Sequence, residues 1–385
     1  MSRRADVLVV GAGFAGATCA RALADAGLRV RLIDRRPHAG GNAWDRRDEH
    51  GILVHPYGPH IFHTNSDEVL AWLSRFTCWR AYEHHVLASI DGKTYPIPIN
   101  RTTINRFYGL ALREDEVFAF LESVREPRDP IRTSEDVVLN SVGRRLCDAF
   151  FRGYTRKQWG RDLEDLAAGV AARIPVRSSD DDRYFSDKHQ CMPADGYAEL
   201  FESMLRHPHI ELELSCEFRR GVDETQVRHT VYTGPIDAFY DCRYGQLAYR
   251  SLRFEHFHVP EVAPSAFVQP APVINYPCEF QYTRITEFKQ LTGQIRHGSS
   301  LVREFPTGTG DPYYPIPCAE TEELYRRYRD LADTETDVSF VGRLAQYRYY
   351  NMDQVVAAAL LLARSLANKL SAPAAPREVV FAAAG

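Results

Sequence analysis

Apolar residues fall first into short unbroken runs, then into helical spacings, then into short runs again, and each change of period marks a change of architecture. Val7-Leu8-Val9-Val10 is a β-branched run closed by glycine, the pattern of a strand buried in a parallel sheet. Residues 15–26 are rich in alanine and other small residues, which predicts a helix able to lie close to that sheet. Leu28–Ile33 predicts the second strand. Farther on, Glu114–Val124, Ser134–Gly153 and Leu163–Ala172 carry helical spacing, so residues 100–170 read as mostly helical. Between 207 and 290 the runs shorten to Ile210–Leu214, Val231–Thr233 and Ala266–Val268, predicting a mixed or antiparallel sheet. Residues 320–332 and 352–370 read as helices, and Ser371–Gly385, rich in Ala and Pro, as a flexible tail.

The first strand, turn and helix enclose Gly11-Ala12-Gly13-Phe14-Ala15-Gly16, and the second strand ends in Asp34. A lone glycine motif is weak, but here strand, turn, helix and terminal acid stand in the order a dinucleotide site needs. Gly11 permits the tight turn, Gly13 lets backbone approach a pyrophosphate, and Gly16 lets helix and strand touch. The helix N-terminus offers unpaired N–H groups to phosphate, and Asp34 can accept hydrogen bonds from a ribose diol. The β-α-β unit alone suits NAD or FAD. The next segment, Arg35-Arg36-Pro37-His38-Ala39-Gly40-Gly41-Asn42, resembles the flavoprotein oxidoreductase and amine oxidase group, whose Gly-Gly pair runs beside the flavin. FAD is therefore the expected cofactor.

A length of 385 residues suggests two or three domains. The formal net charge of −4 disfavours nucleic acid as a partner and requires any phosphate site to be a local basic pocket. The 8 cysteines form no close CxxC pair and no Cys/His zinc spacing, so no metal site is expected and a reduced, cytoplasmic setting is. No apolar stretch reaches the ~20 residues of a membrane span, and the Val7–Val10 run is too short for the core of a signal peptide.

From Ala5 to about Leu370 the chain resembles the UDP-galactopyranose mutase family, bacterial type. The resemblance is carried in order by Gly40-Gly41-Asn42-Ala43, Tyr57-Gly58-Pro59-His60-Ile61-Phe62-His63-Thr64, Gly153-Tyr154-Thr155-Arg156-Lys157-Gln158-Trp159-Gly160, Arg173-Ile174-Pro175-Val176-Arg177, Tyr184-Phe185-Ser186-Asp187, Tyr232-Thr233-Gly234-Pro235-Ile236-Asp237, Tyr282-Thr283-Arg284, Pro312-Tyr313-Tyr314-Pro315, Gly342-Arg343-Leu344-Ala345 and Tyr349-Tyr350-Asn351-Met352. It implies an α/β fold: a discontinuous Rossmann-like FAD-binding domain (1–75, 190–240 and 312–370), a helical domain (98–172), an antiparallel sheet domain over the cleft (76–97, 173–189 and 241–311), and the 371–385 tail. It implies an isomerase that interconverts UDP-galactopyranose and UDP-galactofuranose without net redox. Reduced FAD attacks the anomeric carbon through N5 and displaces UDP; the adduct opens to an iminium, a different sugar hydroxyl closes the ring, and UDP re-attacks. A cytoplasmic homodimer, a UDP-sugar substrate and a reductant such as NAD(P)H are the implied partners.

The resemblance also assigns residues. Arg173 and Arg284 correspond to the diphosphate arginines, a role that suits bidentate guanidinium geometry. Tyr314 and Tyr349 would hydrogen-bond the same phosphates. Tyr154, with Phe150 and Thr155 nearby, would stack the uracil, and Trp159, Tyr184, Phe185, His84, Asn275 and Asn351 would line the same cleft. His63 and His60, with Ile61, pass the flavin ring, His63 being favoured over His60 as a flavin contact. Arg343 would touch the FAD pyrophosphate, beside Tyr350 and the helix opening at Met352, while Gly11, Gly13, Phe14, Ala15, Gly16, Asp34, Arg35, Gly41 and Asn42 would hold the rest of the cofactor. No paired carboxylates or Ser-His-Asp set appear, as expected where the leaving diphosphate already has a low pKa.

Three departures from the family pattern stand out. Asn351 replaces a frequent Asp, His84 and His85 replace residues that are often Asn and Ser, and Asn275–Gln281 is one residue shorter than the usual spacing before Tyr-Thr-Arg. These leave open a mutase for another nucleotide hexose, 6-deoxy or differently based. An amine oxidase-like oxidoreductase and a catalytically silent nucleotide-sugar binder are the readings from other classes.

Overall fold

The computed structural model describes residues 5–173 and 175–371; the tail expected beyond Ser371 lies outside the described residues. Five strands form a parallel sheet in the order Ile210–Leu214, Val30–Asp34, Val7–Val10, His229–Tyr232, Val338–Phe340. Val7, Leu8 and Val9 are fully buried at its centre, as an unbroken apolar run requires. The Phe14–Asp25 helix follows the first strand and buries its small residues Ala15, Gly16, Ala17 and Ala20. Its outer side is covered by the last helix, Met352–Ser371, where the Cys19 thiol donates to the Ala359 carbonyl at 3.5 Å. Two runs expected in a mixed or antiparallel sheet, Ile210–Leu214 and Val231–Thr233, are thus parallel members of this sheet. In the first, Ile-Glu-Leu-Glu-Leu alternates because it is an edge strand facing water, not because its neighbour runs antiparallel.

A second sheet has seven strands in the order Tyr314–Pro315, Tyr249–Val259, Ser299–Thr307, Arg284–Glu287, Val273–Asn275, Val86–Ile90, Lys93–Ile97. All neighbours are antiparallel except Val273–Asn275 beside Val86–Ile90. Ala266–Val268, expected as a strand, is a loop: the backbone N–H groups of Val268 and Gln269 bond the Glu287 carboxylate at 2.9 Å instead of a sheet neighbour. Phe62–Thr64, His189–Pro193 and Trp79–Ala81 form a separate three-stranded antiparallel sheet.

The helical region packs around Leu121, Val138, Leu139, Val142 and Leu146. Its Ser134–Leu146 helix opens with a capping box, Thr133 accepting from the Asp136 N–H at 3.2 Å and Asp136 accepting from the Thr133 N–H at 3.0 Å. The helical run expected to Gly153 is broken at Gly143, with φ 75° and ψ 174°. A Cβ there would sit 2.1 Å from the Val124 carbonyl oxygen, so only glycine admits the contact. The chain then widens into a π-turn over Cys147–Arg152 before the short Gly153–Trp159 helix. Leu163–Ala172, expected as one helix, is two 3-10 turns at Leu163–Asp165 and Ala168–Arg173, separated by Leu166 in an extended conformation. All eight cysteines are unpaired. Among the described residues no helix is long and apolar enough to cross a membrane, and no three His, Cys, Asp or Glu residues gather where they could hold a metal.

Candidate active site

The glycine turn is built for backbone contact. A Cβ on Gly16 would lie 1.8 Å from the Gly11 carbonyl oxygen, and one on Gly41 would lie 3.0 Å from the Gly13 Cα. The Gly40 N–H donates to the Ala12 carbonyl at 2.8 Å, so the Gly-Gly segment lies on the turn. Asp34 ties the pieces together: its carboxylate accepts from the Ala12 N–H at 2.6 Å and from the Arg36 N–H at 2.8 Å. The helix that follows has no capping side chain and no acid in its first turn, which leaves its amide end and positive dipole to an outside anion. A dinucleotide pyrophosphate fits that description. Gly342 packs against the same helix, a Cβ there being 3.0 Å from that of Ala15, which brings Arg343 beside the turn. Arg343 donates to the carbonyls of Tyr313 and Tyr350, at 3.4 and 2.7 Å. Arg36 bonds Asn42 at 2.9 Å and crosses the Tyr57 ring, whereas Arg35 turns outward to Asp311 at 2.7 Å.

The histidines of the Gly-Pro-His-Ile-Phe-His block differ in setting. His60 donates from Nδ1 to the Gly58 carbonyl at 2.9 Å, and burial pushes its pKa down to about 4, so Nε2 is left as a neutral acceptor. His63, on the short Phe62–Thr64 strand, bonds Asp187 at 2.8 Å and stacks on Phe185 with ring centroids 3.7 Å apart. His84 sits against Phe185 and Tyr184 and bonds the Tyr82 hydroxyl at 3.0 Å; burial pushes its pKa down to about 3. His85 lies apart and pairs with Asp182 at 3.1 Å.

The two candidate diphosphate arginines are held by different means. Arg173 donates to the Asn351 side-chain oxygen at 2.9 Å and lies 3.9 Å over the Tyr349 ring. Tyr349 stacks on Tyr314, with centroids 5.3 Å apart, and Trp159 leans on both. Arg284, at the start of its strand, pairs with the fully buried Glu304 at 2.9 Å. Burial opposes the Arg284 charge, but Glu304 with nearby tyrosines holds the guanidinium protonated. Its charge acts on Tyr154, Tyr184, Tyr314, His60 and His84. Asn275 is Arg284's cross-strand partner, and its side-chain oxygen is buried with no hydrogen bond.

Other nominated residues fall into place differently. Phe150 is 5 % exposed and packs edge-on against Tyr95 and Phe107, in the core of the helical region rather than in an open cleft. Thr155 is buried on the Gly153–Trp159 helix, Ile61 is buried before the His63 strand, and Met352 opens the last helix with Tyr350 packed beside it. Glu304 and Asp187 were not anticipated. Asp187 stood inside the Tyr-Phe-Ser-Asp block, but Glu304 had no sequence signal: a glutamate in a strand is read as exposed until the fold buries it.

A parallel dinucleotide-type sheet and a glycine turn, with arginines packed among tyrosines beside it, define an α/β protein of the dinucleotide-binding class. The model of an NAD(P)-binding Rossmann-like domain matches residues 9–76, and that of UDP-galactopyranose mutase matches residues 149–349. A probable UDP-galactopyranose mutase of Klebsiella pneumoniae is 39% identical, the match covering 96% of this chain and 97% of the relative. A dTDP-fucopyranose mutase of Escherichia coli is 40% identical over 92% of this chain and 96% of its own length. In fold, a crystal structure of reduced UDP-galactopyranose mutase superposes with TM-score 0.76 at 15% identity, covering 95% of this chain and 94% of that one. The chain belongs to the UDP-galactopyranose mutase family, and is an isomerase.

Proposed function

We propose that this protein interconverts UDP-galactopyranose and UDP-galactofuranose with FAD bound in its reduced form. The observation that carries the reading is the packing of Arg173 on Tyr349, of Tyr349 on Tyr314, and of Arg343 against both beside the glycine turn, with the charge of Arg284 acting on Tyr314. Reduced FAD, seated on the glycine turn, supplies a nucleophilic N5 for the anomeric carbon. The chain's own residues do the rest. Two guanidiniums and two tyrosine hydroxyls hold the diphosphate while it is detached, keeping it close enough to return. Tyr154 and Trp159 exclude water and face the nucleotide. His60, neutral, and His63, oriented by Asp187, stand on the flavin side as an acceptor and a positioned imidazole. No general acid is required at the leaving oxygen.

We propose a division into three parts, at 1–75, 190–240 and 312–370; 98–172; and 76–97, 173–189 and 241–311, with the Tyr314–Pro315 strand of the first pairing into the sheet of the third. A cytoplasmic homodimer and a reductant such as NAD(P)H complete the proposal. The Escherichia coli relative favours a second reading with the same chemistry on a dTDP-linked 6-deoxyhexose. Both are tested by incubating dithionite-reduced holoenzyme with a panel of UDP- and dTDP-hexoses and separating products by chromatography. Ring contraction of UDP-galactose supports the first reading, preference for dTDP-fucose replaces it with the second, and no contraction of any nucleotide hexose refutes both.

A further inference from the structure

The turn between the Val273–Asn275 and Arg284–Glu287 strands is fastened to the Gly153–Trp159 helix along one line of contacts. Lys157 sends its ammonium into that turn, where it donates to the carbonyls of Tyr276, Glu279 (2.8 Å), Phe280 (3.2 Å) and Tyr282 (3.3 Å). Four main-chain carbonyls converging on one ammonium form a cradle that a lone surface lysine lacks. Four residues earlier, Gly153 abuts the same turn: a Cβ there would lie 2.5 Å from the Pro277 carbonyl oxygen. Four residues earlier again, the Ala149 carbonyl accepts from the Cys278 thiol at 3.6 Å. The helix is anchored from its other end by Arg250, whose guanidinium bonds the carbonyls of Lys157 and Gln158 at 3.0 and 2.9 Å.

The fastening joins the two halves of the nucleotide site. The helix carries Tyr154, Thr155 and Trp159; the base of the turn carries the cross-strand pair Asn275 and Arg284. The turn is closed by the Tyr276 N–H donating to the Thr283 carbonyl at 2.8 Å, so a displacement at its tip is passed to its base. We infer that Lys157 is a positioning residue that, with the close approach at Gly153, fixes Arg284 and Asn275 against the aromatic residues of the nucleotide site. Its ammonium is taken up by the carbonyls of the turn, and it acts through them. The inference rests on the proposed nucleotide-sugar reading of this site.

The test uses oxidised and reduced holoenzyme of the wild type, Lys157→Met, Lys157→Arg and Gly153→Ala. Methionine keeps the apolar stem and removes the ammonium; alanine pushes the turn away without touching Lys157. UDP and dTDP binding is measured by calorimetry on the oxidised enzyme, and kcat and KM on the reduced one. We expect Lys157→Met and Gly153→Ala each to weaken UDP binding and raise KM by about tenfold, with kcat within about threefold and flavin content unchanged. Lys157→Arg recovers part of the affinity, and the double variant loses less than the sum of the two on a logarithmic scale, because both act on one turn. Unchanged UDP affinity in Lys157→Met and Gly153→Ala overturns the inference. So does a fall in kcat matched by lost flavin and a lower Tm at constant KM, since that marks a general structural role. Wild-type enzyme that binds neither UDP nor dTDP removes the nucleotide-sugar reading, and this inference with it.

Discussion

Glu304→Gln isolates what a buried carboxylate does behind a substrate arginine. Glu304 is fully buried, pairs with Arg284 at 2.9 Å, and has no hydrogen bond of good geometry to either oxygen. Glutamine keeps its volume and one acceptor but leaves the guanidinium without a counter-charge. Breaking a buried ion pair costs about 3–5 kcal/mol; retention of an acceptor puts this change near about 3 kcal/mol. For a chain of this size that lowers Tm by about 4 °C, at about 1.2 °C per kcal/mol. A diphosphate then replaces the missing charge. If half of the lost pairing energy returns on binding, UDP binds about tenfold tighter to the variant than to wild type, by about 1.4 kcal/mol. Thermal melts with and without UDP, and calorimetric titration of UDP, read both quantities. A melting temperature within about 1 °C of wild type refutes the ion-pair account. Weaker UDP binding in the variant refutes the competition, and shows instead that Glu304 aims the arginine.

Gly16→Ala places a Cβ 1.8 Å from the Gly11 carbonyl oxygen, so the protein is expected to purify without flavin absorbance; full flavin content would contradict the close-approach argument. Asn351→Asp gives Arg173 a charged partner that competes with diphosphate, and UDP affinity is expected to fall about fivefold by calorimetry, the loss shrinking at high salt. Burial pushes His55 and His84 down to about 3 and His60 and His229 to about 4, all below the ordinary value near 6.5. The folded state therefore binds fewer protons than the unfolded state below about pH 6.5. The stability these groups contribute is complete above that pH and is lost as pH falls toward their folded values. At pH 5.5 the four together cost about 5 kcal/mol relative to pH 7. Urea melts should show that loss, His84→Gln should remove about a quarter of it, and an equal loss in the variant would contradict the assignment.

Much of the fold could be read from the chain because the signals were local. Val7–Val10, the glycine turn and Asp34 lie within one β-α-β unit, and their period, turn residues and acid agree. One failure had a non-local cause, and another a local one that periodicity does not register. Ile210–Leu214 alternates like an antiparallel strand but adds to the parallel edge, a choice made by the neighbour it meets. Leu163–Ala172 has helical spacing, yet Asp162 and Asp165 close a single turn and Leu166 leaves it extended. The nominated cleft residues were legible from family blocks, but not their tethers. Glu304, Lys157 and Asp187 act through partners that stand far from them in sequence, and periodicity carries no such information.

The parallel sheet inserts His229–Tyr232 beside Val7–Val10 and ends on Val338–Phe340, and the helix after the glycine turn is covered by Tyr197–Leu205 and Met352–Ser371. A unit continuous over Val7–Asp34 is therefore completed only by segments far later in the chain. During synthesis the glycine turn leaves the ribosome hundreds of residues before Met352–Ser371, with apolar surface exposed until that helix follows. Cofactor capture belongs after translation, and a chain cut short of its last helix should leave a half-built nucleotide fold that chaperones or proteases must handle.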